Sequence, residues 1–368
     1  MHAPSVGEGL QARPILESLR HRQPAPQLAY TYFSPSAQDF AESLNVDFRD
    51  VLPFDTRRSA RAVLEALRPD VLVFSKLDVW PFLVEEAESR EVPLALVSAT
   101  LPSRSSRLKG LAPALLRDAY ARLDAVGAIS DEDAERLVAL GCRAGVVEVT
   151  GDTRYDQVAA RSQRADRRGA LLAPLAAPRL TLVAGSTWAS DDERLLPAIL
   201  RARAAAPNLR CILAPHEPTA KAIAALEAWA SCARLEARTL GHPLARNADV
   251  IIVDRVGVLG DLYALADIAF VGGGFHAAGL HSVLEPAAYG IPVAFGPLYE
   301  NSREASLLVR EGGGASAEDA TTLATILSRW LVDATARADA GHRARALVER
   351  GTGATERSVA LIERLLQD

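Results

Sequence analysis

Short apolar runs alternate with helical patterns along this chain, and that alternation most narrows the folds open to it. Gln27–Phe33, Val71–Phe74, Leu94–Val97, Ala125–Ile129 and Val146–Thr150 read as strands, separated by helix candidates such as Gly9–Leu19, Ser59–Leu67, Asp78–Ser89 and Asp131–Leu140. The pattern restarts with Leu180–Ala184, Arg210–Ala214, Val250–Val253, Ile268–Val271 and Val293–Phe295. Strands alternating with helices pair in parallel and carry helices on both faces. Two such runs in 368 residues suit two domains of about 150 to 200 residues each. The class is therefore α/β, with two doubly wound Rossmann-like domains divided near Gly151 to Ala176. The predicted boundaries are 1–155 and 156–345, followed by 346–368, whose helix at about Ala354–Leu366 is expected to cross back to the first domain. Ala159–Pro178, rich in Ala, Arg and Pro, is the predicted linker. Ligands in such sheets bind beyond the carboxyl ends of the strands. The expected active site is thus a cleft that the two domains face.

The sharpest local signal is Val271-Gly272-Gly273-Gly274-Phe275, followed by His281-Ser282-Val283-Leu284-Glu285-Pro286. A buried strand, a glycine-rich turn and a helix start at Ser282 together predict an anion site. Glycine lets the backbone approach a phosphate, and a helix N-terminus offers unpaired N–H groups. Glu285, in the first helical turn, would meet a ribose hydroxyl or a base edge. A tight strand-to-helix turn with a capping carboxylate fits the same residues.

Charge and cysteine usage exclude some partners. The net charge of −5 gives no reason to expect nucleic acid binding. Cys142, Cys211 and Cys232 lack metal-ligand spacing and read as small hydrophobes in a reducing compartment. No apolar run reaches the roughly 18 residues that span a bilayer, which predicts a protein that is cytoplasmic or peripheral on a membrane. From Ser103 to Leu123 the chain holds Arg104, Arg107, Lys109, Arg117 and Arg122 against Asp118, with Leu108, Leu111, Leu115 and Leu116 at helix-like spacing and Pro113 interrupting. A solvated basic face over a core stripe and a surface for anionic lipid both fit this pattern.

The beginning of the chain is unusual. His2-Ala3-Pro4-Ser5-Val6-Gly7-Glu8-Gly9 reads as the turn after a strand, yet no strand precedes it. The expectation is that a central strand of the first sheet is missing and that the natural protein starts upstream of Met1.

Six motifs, in order, resemble the 3-deoxy-D-manno-octulosonic acid (Kdo) transferase family: HAPSVGEG at 2–9, Trp80-Pro81, GDTRYD at 151–156, GSTW at 185–188, APHEP at 214–218, and VGGG…GLHSVLEPAAYGIPVAFGP at 271–297. The resemblance implies a GT-B glycosyltransferase that uses CMP-Kdo as donor, a lipid A precursor (lipid IV-A) as acceptor, inversion at the anomeric carbon, and neither metal nor cofactor. It implies work at the cytoplasmic face of the inner membrane, although the family's usual N-terminal anchor is not in this sequence. The chain also departs from the commoner pattern. It has Lys76 and Asp78 where two glutamates precede Trp-Pro, His216-Glu217 where Arg-His follows Pro215, Gly151-Asp152-Thr153-Arg154 for Gly-Asn-Leu-Lys, and Ser282 for Asn. Several of these changes resemble a variant branch of Bacteroidetes-type sequences.

The resemblance implies a role for each candidate, and each role has a structural competitor. Glu8 is the implied general base, although a helix start favours a carboxylate in any case. Asp78 acts at the catalytic centre or caps the helix entered at Trp80-Pro81. Arg154 offsets charge on the departing CMP phosphate or is a solvated cation. Gly185, Ser186, Thr187, Pro215, His216, Gly257, Gly272, Gly273, Gly274, His281, Ser282 and Glu285 are the implied nucleotide-sugar contacts. Ser186 and Thr187 also fit helix capping, and His216 with Glu217 also fits a structural pair. Ser5, Gly7, Lys76, Arg104 and Arg107 are the implied acceptor contacts. The rival readings are a UDP-sugar epimerase of the same architecture, a GT-B transferase using another nucleotide sugar, and a non-catalytic binding protein.

Overall fold

The computed structural model describes residues 1–103 and 105–367, in two compact units. Arg104 lies outside the described residues. The N-terminal unit comprises Met1–Gln157 together with the chain from Gly351 onward, and the C-terminal unit comprises Val158–Arg350.

The N-terminal sheet contains β1 (Ala29–Tyr32), β2 (Phe48–Val51), β3 (Leu72–Ser75), β4 (Leu94–Ala99), β5 (Ala125–Ala128) and β6 (Val147–Val149). β1 pairs with β2, and β3 to β6 pair in sequence order, all in parallel. The gap expected at its centre is closed at one end by the first residues. His2 bridges Thr31 of β1 and Phe74 of β3 in parallel register, with backbone bonds from His2 N to Val73 O (2.8 Å) and from Ala3 N to Thr31 O (3.0 Å). The earlier parts of β1 and β3 flank a cavity of about 500 Å³, lined among others by Met1, Leu28, Val71 and Val73. The helix Ala354–Leu365 packs against β5, β4 and the helix Val6–Arg20 within this unit.

The C-terminal sheet contains β7 (Thr181–Thr187), β8 (Arg210–Pro215), β9 (Ala237–Thr239), β10 (Val250–Ile252), β11 (Ile268–Val271), β12 (Val293–Phe295) and β13 (Gly314–Ser316). Its order is β13-β12-β11-β7-β8-β10-β9, again parallel. β7 starts in the middle. The chain first winds out through β8, then returns to the other side of β7 at β11, so the crevice between β7 and β11 is a topological switch point. In the N-terminal unit the equivalent switch lies at Met1–Ala3, with β1 on one side and β3 on the other.

Three local expectations are corrected. The predicted linker Ala159–Pro178 is ordered: the helix Thr153–Arg164 runs into it, and Leu172 and Leu175 are buried farther on. Pro113 does not interrupt a helix but sits in the first turn of Ala112–Ala121, where its missing N–H costs nothing. The helix expected from Ser282 is only Leu284–Ala288. Gly290 at φ +74° turns the chain out of helical geometry just beyond it.

Candidate functional site

The N-terminal candidates gather where the switch point opens. Ser5 precedes the helix Val6–Arg20 as its N-cap, Gly7 is exposed in the first turn, and Glu8 is half-buried beside it. The Ser5 hydroxyl donates to Glu8 Oε2, and Lys76 Nζ donates to Glu8 Oε1 at 3.1 Å. Ser75 Oγ donates to the Glu8 carbonyl at 3.1 Å. Lys76 leaves β3 in the left-handed region, at φ +70°, a strained conformation for a side chain with a Cβ. Burial alone would raise the Glu8 pKa, but the Ser5 hydrogen bond and the Lys76 charge outweigh it and hold the carboxyl below its usual range. Glu8 is thus kept ionised, as a proton acceptor must be.

The other two predicted catalytic residues carry their own counter-ions. Asp78 is ion-paired with Arg107, so one predicted catalytic group and one predicted acceptor contact form a single pair. Arg154 donates from Nε (2.8 Å) and Nη2 (2.6 Å) to Asp152, a buried carboxylate that also accepts the Arg154 backbone N–H at 2.9 Å. The guanidinium is thereby fixed in orientation and partly neutralised.

Of the basic patch, Lys109 and Arg117 are exposed, as are Leu111 (80 %) and Leu115 (74 %). The leucine stripe is therefore not wholly a core stripe. Arg122 pairs with Glu88.

In the C-terminal unit most of the predicted contacts converge on the ends of β7, β8 and β11, which lie side by side, while Gly257 does not. Gly185, Ser186 (φ +55°) and Thr187 close β7, and Pro215 and His216 close β8, where His216 N donates to Thr187 O at 2.9 Å. Gly257, at φ +85°, is an exposed turn after β10 whose carbonyl accepts from Arg161 at 3.1 Å. Ser282 is exposed beside His281. Glu285 lies in the first helical turn, and burial raises its pKa against the opposing charge of Arg161.

Of the two readings of the glycine turn, close packing has direct support. A Cβ on Gly272 would come within 2.2 Å of Ser186 O, one on Gly273 within 2.2 Å of Gly279 O, and one on Gly274 within 2.4 Å of Gly296 N. Close backbone packing therefore demands all three glycines. Two N–H groups of the turn are also already used: Asp191, fully buried, accepts from Gly273 N (2.8 Å) and Trp188 N (2.9 Å) on Oδ2 and from Phe275 N (3.0 Å) on Oδ1. A built-in carboxylate thus takes two of the turn's donors, and Gly272 N is spent on Gly185 O at 2.9 Å.

Sequence reasoning did not single out Asp191 or His276, and it named Trp188 only as the end of the GSTW motif. An acidic residue in the first turn of the helix Ala189–Ala205 was the available signal for the first, since a carboxylate there can reach back to the Trp188 N–H. Trp188 and His276 stack with centroids 4.2 Å apart and rings 2° from parallel.

Comparison with known proteins decides the family. Residues 1–157 match the model of the 3-deoxy-D-manno-octulosonic-acid transferase (kdotransferase) family. A 3-deoxy-D-manno-octulosonic acid transferase of Bordetella pertussis is 31% identical over 374 residues, covering 99% of this chain and 86% of the relative. The chain belongs to the Kdo transferase family. A Kdo transferase of Haemophilus influenzae is 25% identical, over 100% of this chain and 87% of the relative. Among solved structures, the UDP-GlcNAc 2-epimerase of Neisseria meningitidis bound to UDP-GlcNAc aligns with a TM-score of 0.70 at 12% identity, covering 100% of this chain and 99% of that one. At that identity the likeness speaks for the fold alone, which is GT-B. As a Kdo transferase the chain is a glycosyltransferase, and the sequence resemblance is upheld. Among the described residues, no helix is long and apolar enough to cross a membrane.

Proposed function

We propose that this Kdo transferase moves Kdo from CMP-Kdo to lipid IV-A, with inversion and without a metal, in lipopolysaccharide core biosynthesis. The observation that carries the reading is Glu8, held ionised by Ser5 and Lys76 at the switch point of the N-terminal sheet. An acceptor hydroxyl gives its proton to Glu8 as its oxygen bonds to the anomeric carbon. The bond from that carbon to the CMP phosphate breaks, and CMP leaves with the electron pair. General-base help of this kind is worth roughly 10²–10⁴-fold.

Arg154, preset by Asp152, supplies a fixed positive charge for the departing phosphate. The pair of Asp78 and Arg107 orients the acceptor, whose own phosphates suit Arg107. Donor binding belongs to the C-terminal unit, with the ribose near Glu285 and the phosphate near Ser186, His216 and His281. Because Asp191 takes the N–H groups of Gly273 and Phe275, those side chains carry most of the anion's hydrogen bonds. Lys109, Arg117, Leu111 and Leu115 offer charge and apolar surface to the cytoplasmic face of the inner membrane, with the protein peripheral on it.

Mass spectrometry of lipid IV-A incubated with CMP-Kdo and enzyme, with and without EDTA, tests the reading. The expected product is lipid IV-A plus Kdo, in equal yield in both samples. Turnover of a UDP-sugar, or no transfer from CMP-Kdo, overturns it.

A further inference from the structure

The end of β7 carries a ring that the proposed reaction does not use. Trp188 is half-buried among three histidines from neighbouring loops. Its indole stacks on His276 and, at 4.4 Å and 24°, on His216, which stacks on His281 at 4.5 Å. The indole Nε1–H also donates to Nε2 of His281 at 3.0 Å. Indole nitrogen only donates, so Nε2 of His281 must be the bare nitrogen and the ring's proton sits on Nδ1. The base of the same residue is pinned, because His281 N donates to Gly272 O at 3.1 Å.

We propose that Trp188 is a positioning residue: it holds His281 as the neutral Nδ1–H tautomer, so that the imidazole presents a fixed hydrogen-bond donor to the phosphate of the nucleotide sugar. The inference rests on the donor-site reading of this edge. The charged and titratable groups around the ring are His216 from the end of β8, His276 from the turn after β11, and Asp191 from the helix Ala189–Ala205. Burial and His216 push the His281 pKa down, Asp191 opposes them, and His276 adds to the lowering. Protonation at Nε2 would remove the acceptor of the indole N–H and place a cation beside two more imidazoles. A neutral donor avoids both costs and still serves an anion.

The test uses the full chain with ¹⁵N-labelled histidine, and Trp188→Phe, which keeps a ring for the stack and deletes only the N–H. Long-range ¹H–¹⁵N correlation, with His281→Gln for assignment, should show the His281 proton on Nδ1 in the wild type without ligand. In Trp188→Phe the proton should move to Nε2, the commoner tautomer, and His281 should titrate at a higher pH. The Kd for CMP should rise by roughly ten- to a hundredfold, the loss of one hydrogen bond to a charged group. A wild-type proton on Nε2 overturns the assignment without any ligand, and so would an unchanged titration in the variant. Equal CMP affinity of variant and wild type overturns the positioning role. Failure of the wild type to bind CMP would instead strike the donor-site reading, and the spectra of the free protein separate the two failures.

Discussion

The two units share one architecture and use its switch point differently. Around the N-terminal switch the side chains form ion pairs, Glu8 with Lys76 and Asp78 with Arg107, and beyond β6 Arg154 pairs with Asp152. At the C-terminal switch they are rings and suppressed charges. Trp188 stands among His216, His276 and His281, and Glu285 is pushed toward its neutral form by burial. Under the proposed function the contrast follows from what each edge would handle. Moving a proton needs a carboxylate kept ionised, and a nearby cation does that. Holding a base, a ribose and a phosphate needs flat surfaces and hydrogen-bond donors, with few mobile charges.

If the division is real, the largest effect belongs to the proton acceptor. Glu8→Gln should lower kcat by roughly 10²-fold or more while leaving the Kd for CMP near the wild-type value. Near-normal turnover would remove Glu8 from the mechanism and with it the chemical half of the comparison.

Next comes the clamp under the donor side. Asp191→Ala strips the acceptor from the N–H groups of Trp188, Gly273 and Phe275. Each buried donor left unsatisfied costs about 1–3 kcal/mol. The variant should melt several degrees lower, and its Kd for CMP should rise by about tenfold or more, with any residual turnover recovered at high donor concentration. A fall in kcat at saturating donor with unchanged CMP affinity would assign Asp191 to the chemistry instead.

These two residues also mark how much could be read from sequence. Strands buried on both faces, such as Ile268–Val271 and Val293–Phe295, form where their continuous apolar runs predicted them. The strands that escaped notice, Phe48–Val51, Ala237–Thr239 and Gly314–Ser316, are all at sheet edges. An edge strand is held by backbone pairing along one side, so its side chains need no apolar pattern. The bond between Ser5 and Glu8 spans one helical turn and follows from their spacing. The Glu8–Lys76 bond spans 68 residues and the Trp188–His281 bond 93, so both depend on which strands become neighbours. The three glycines were visible and a tight turn was one reading of them, but the backbone partners that require it were not. Only the folded backbone reveals that Gly272 lies against Ser186 and Gly274 against Gly296.

A subtler effect separates the charge at the N-terminal switch from the proton acceptor itself. Lys76→Met removes a charge and a hydrogen bond that help hold the Glu8 pKa down, leaving burial, which raises it, opposed mainly by Ser5. A base works only when ionised, so the acid limb of the kcat/KM profile should move to higher pH. Activity should fall severalfold on the acid side, while the neutral plateau changes less. Stability follows the same sign. A depressed carboxyl pKa stabilises the fold above the unfolded-state value, and that contribution is lost as pH falls through the folded-state value. The wild type should therefore lose more stability than the variant on acidification through this window. An acid limb that stays in place would mean that Lys76 contacts the acceptor without tuning Glu8.

The smallest expected effect is the one most specific to the membrane. Leu111 and Leu115 are exposed on or beside the helix Ala112–Ala121, next to exposed Lys109 and Arg117. Neither leucine supports the core, so replacing both with glutamate should leave the melting temperature nearly unchanged. Burying a leucine fully is worth about 1.5–3 kcal/mol, and a side chain that only dips into a headgroup layer gains a fraction of that. Binding of Leu111→Glu/Leu115→Glu to vesicles containing anionic lipid should therefore weaken by about two- to fivefold, with a further loss from repulsion at low salt. CMP binding, which the proposed function assigns to the other unit, should not move. Transfer to lipid IV-A in vesicles should drop with vesicle binding, whereas transfer to the same acceptor in detergent should stay close to wild type. Equal losses in detergent and in vesicles would make these leucines contacts of the acceptor itself, and unchanged vesicle binding would leave them as ordinary exposed surface.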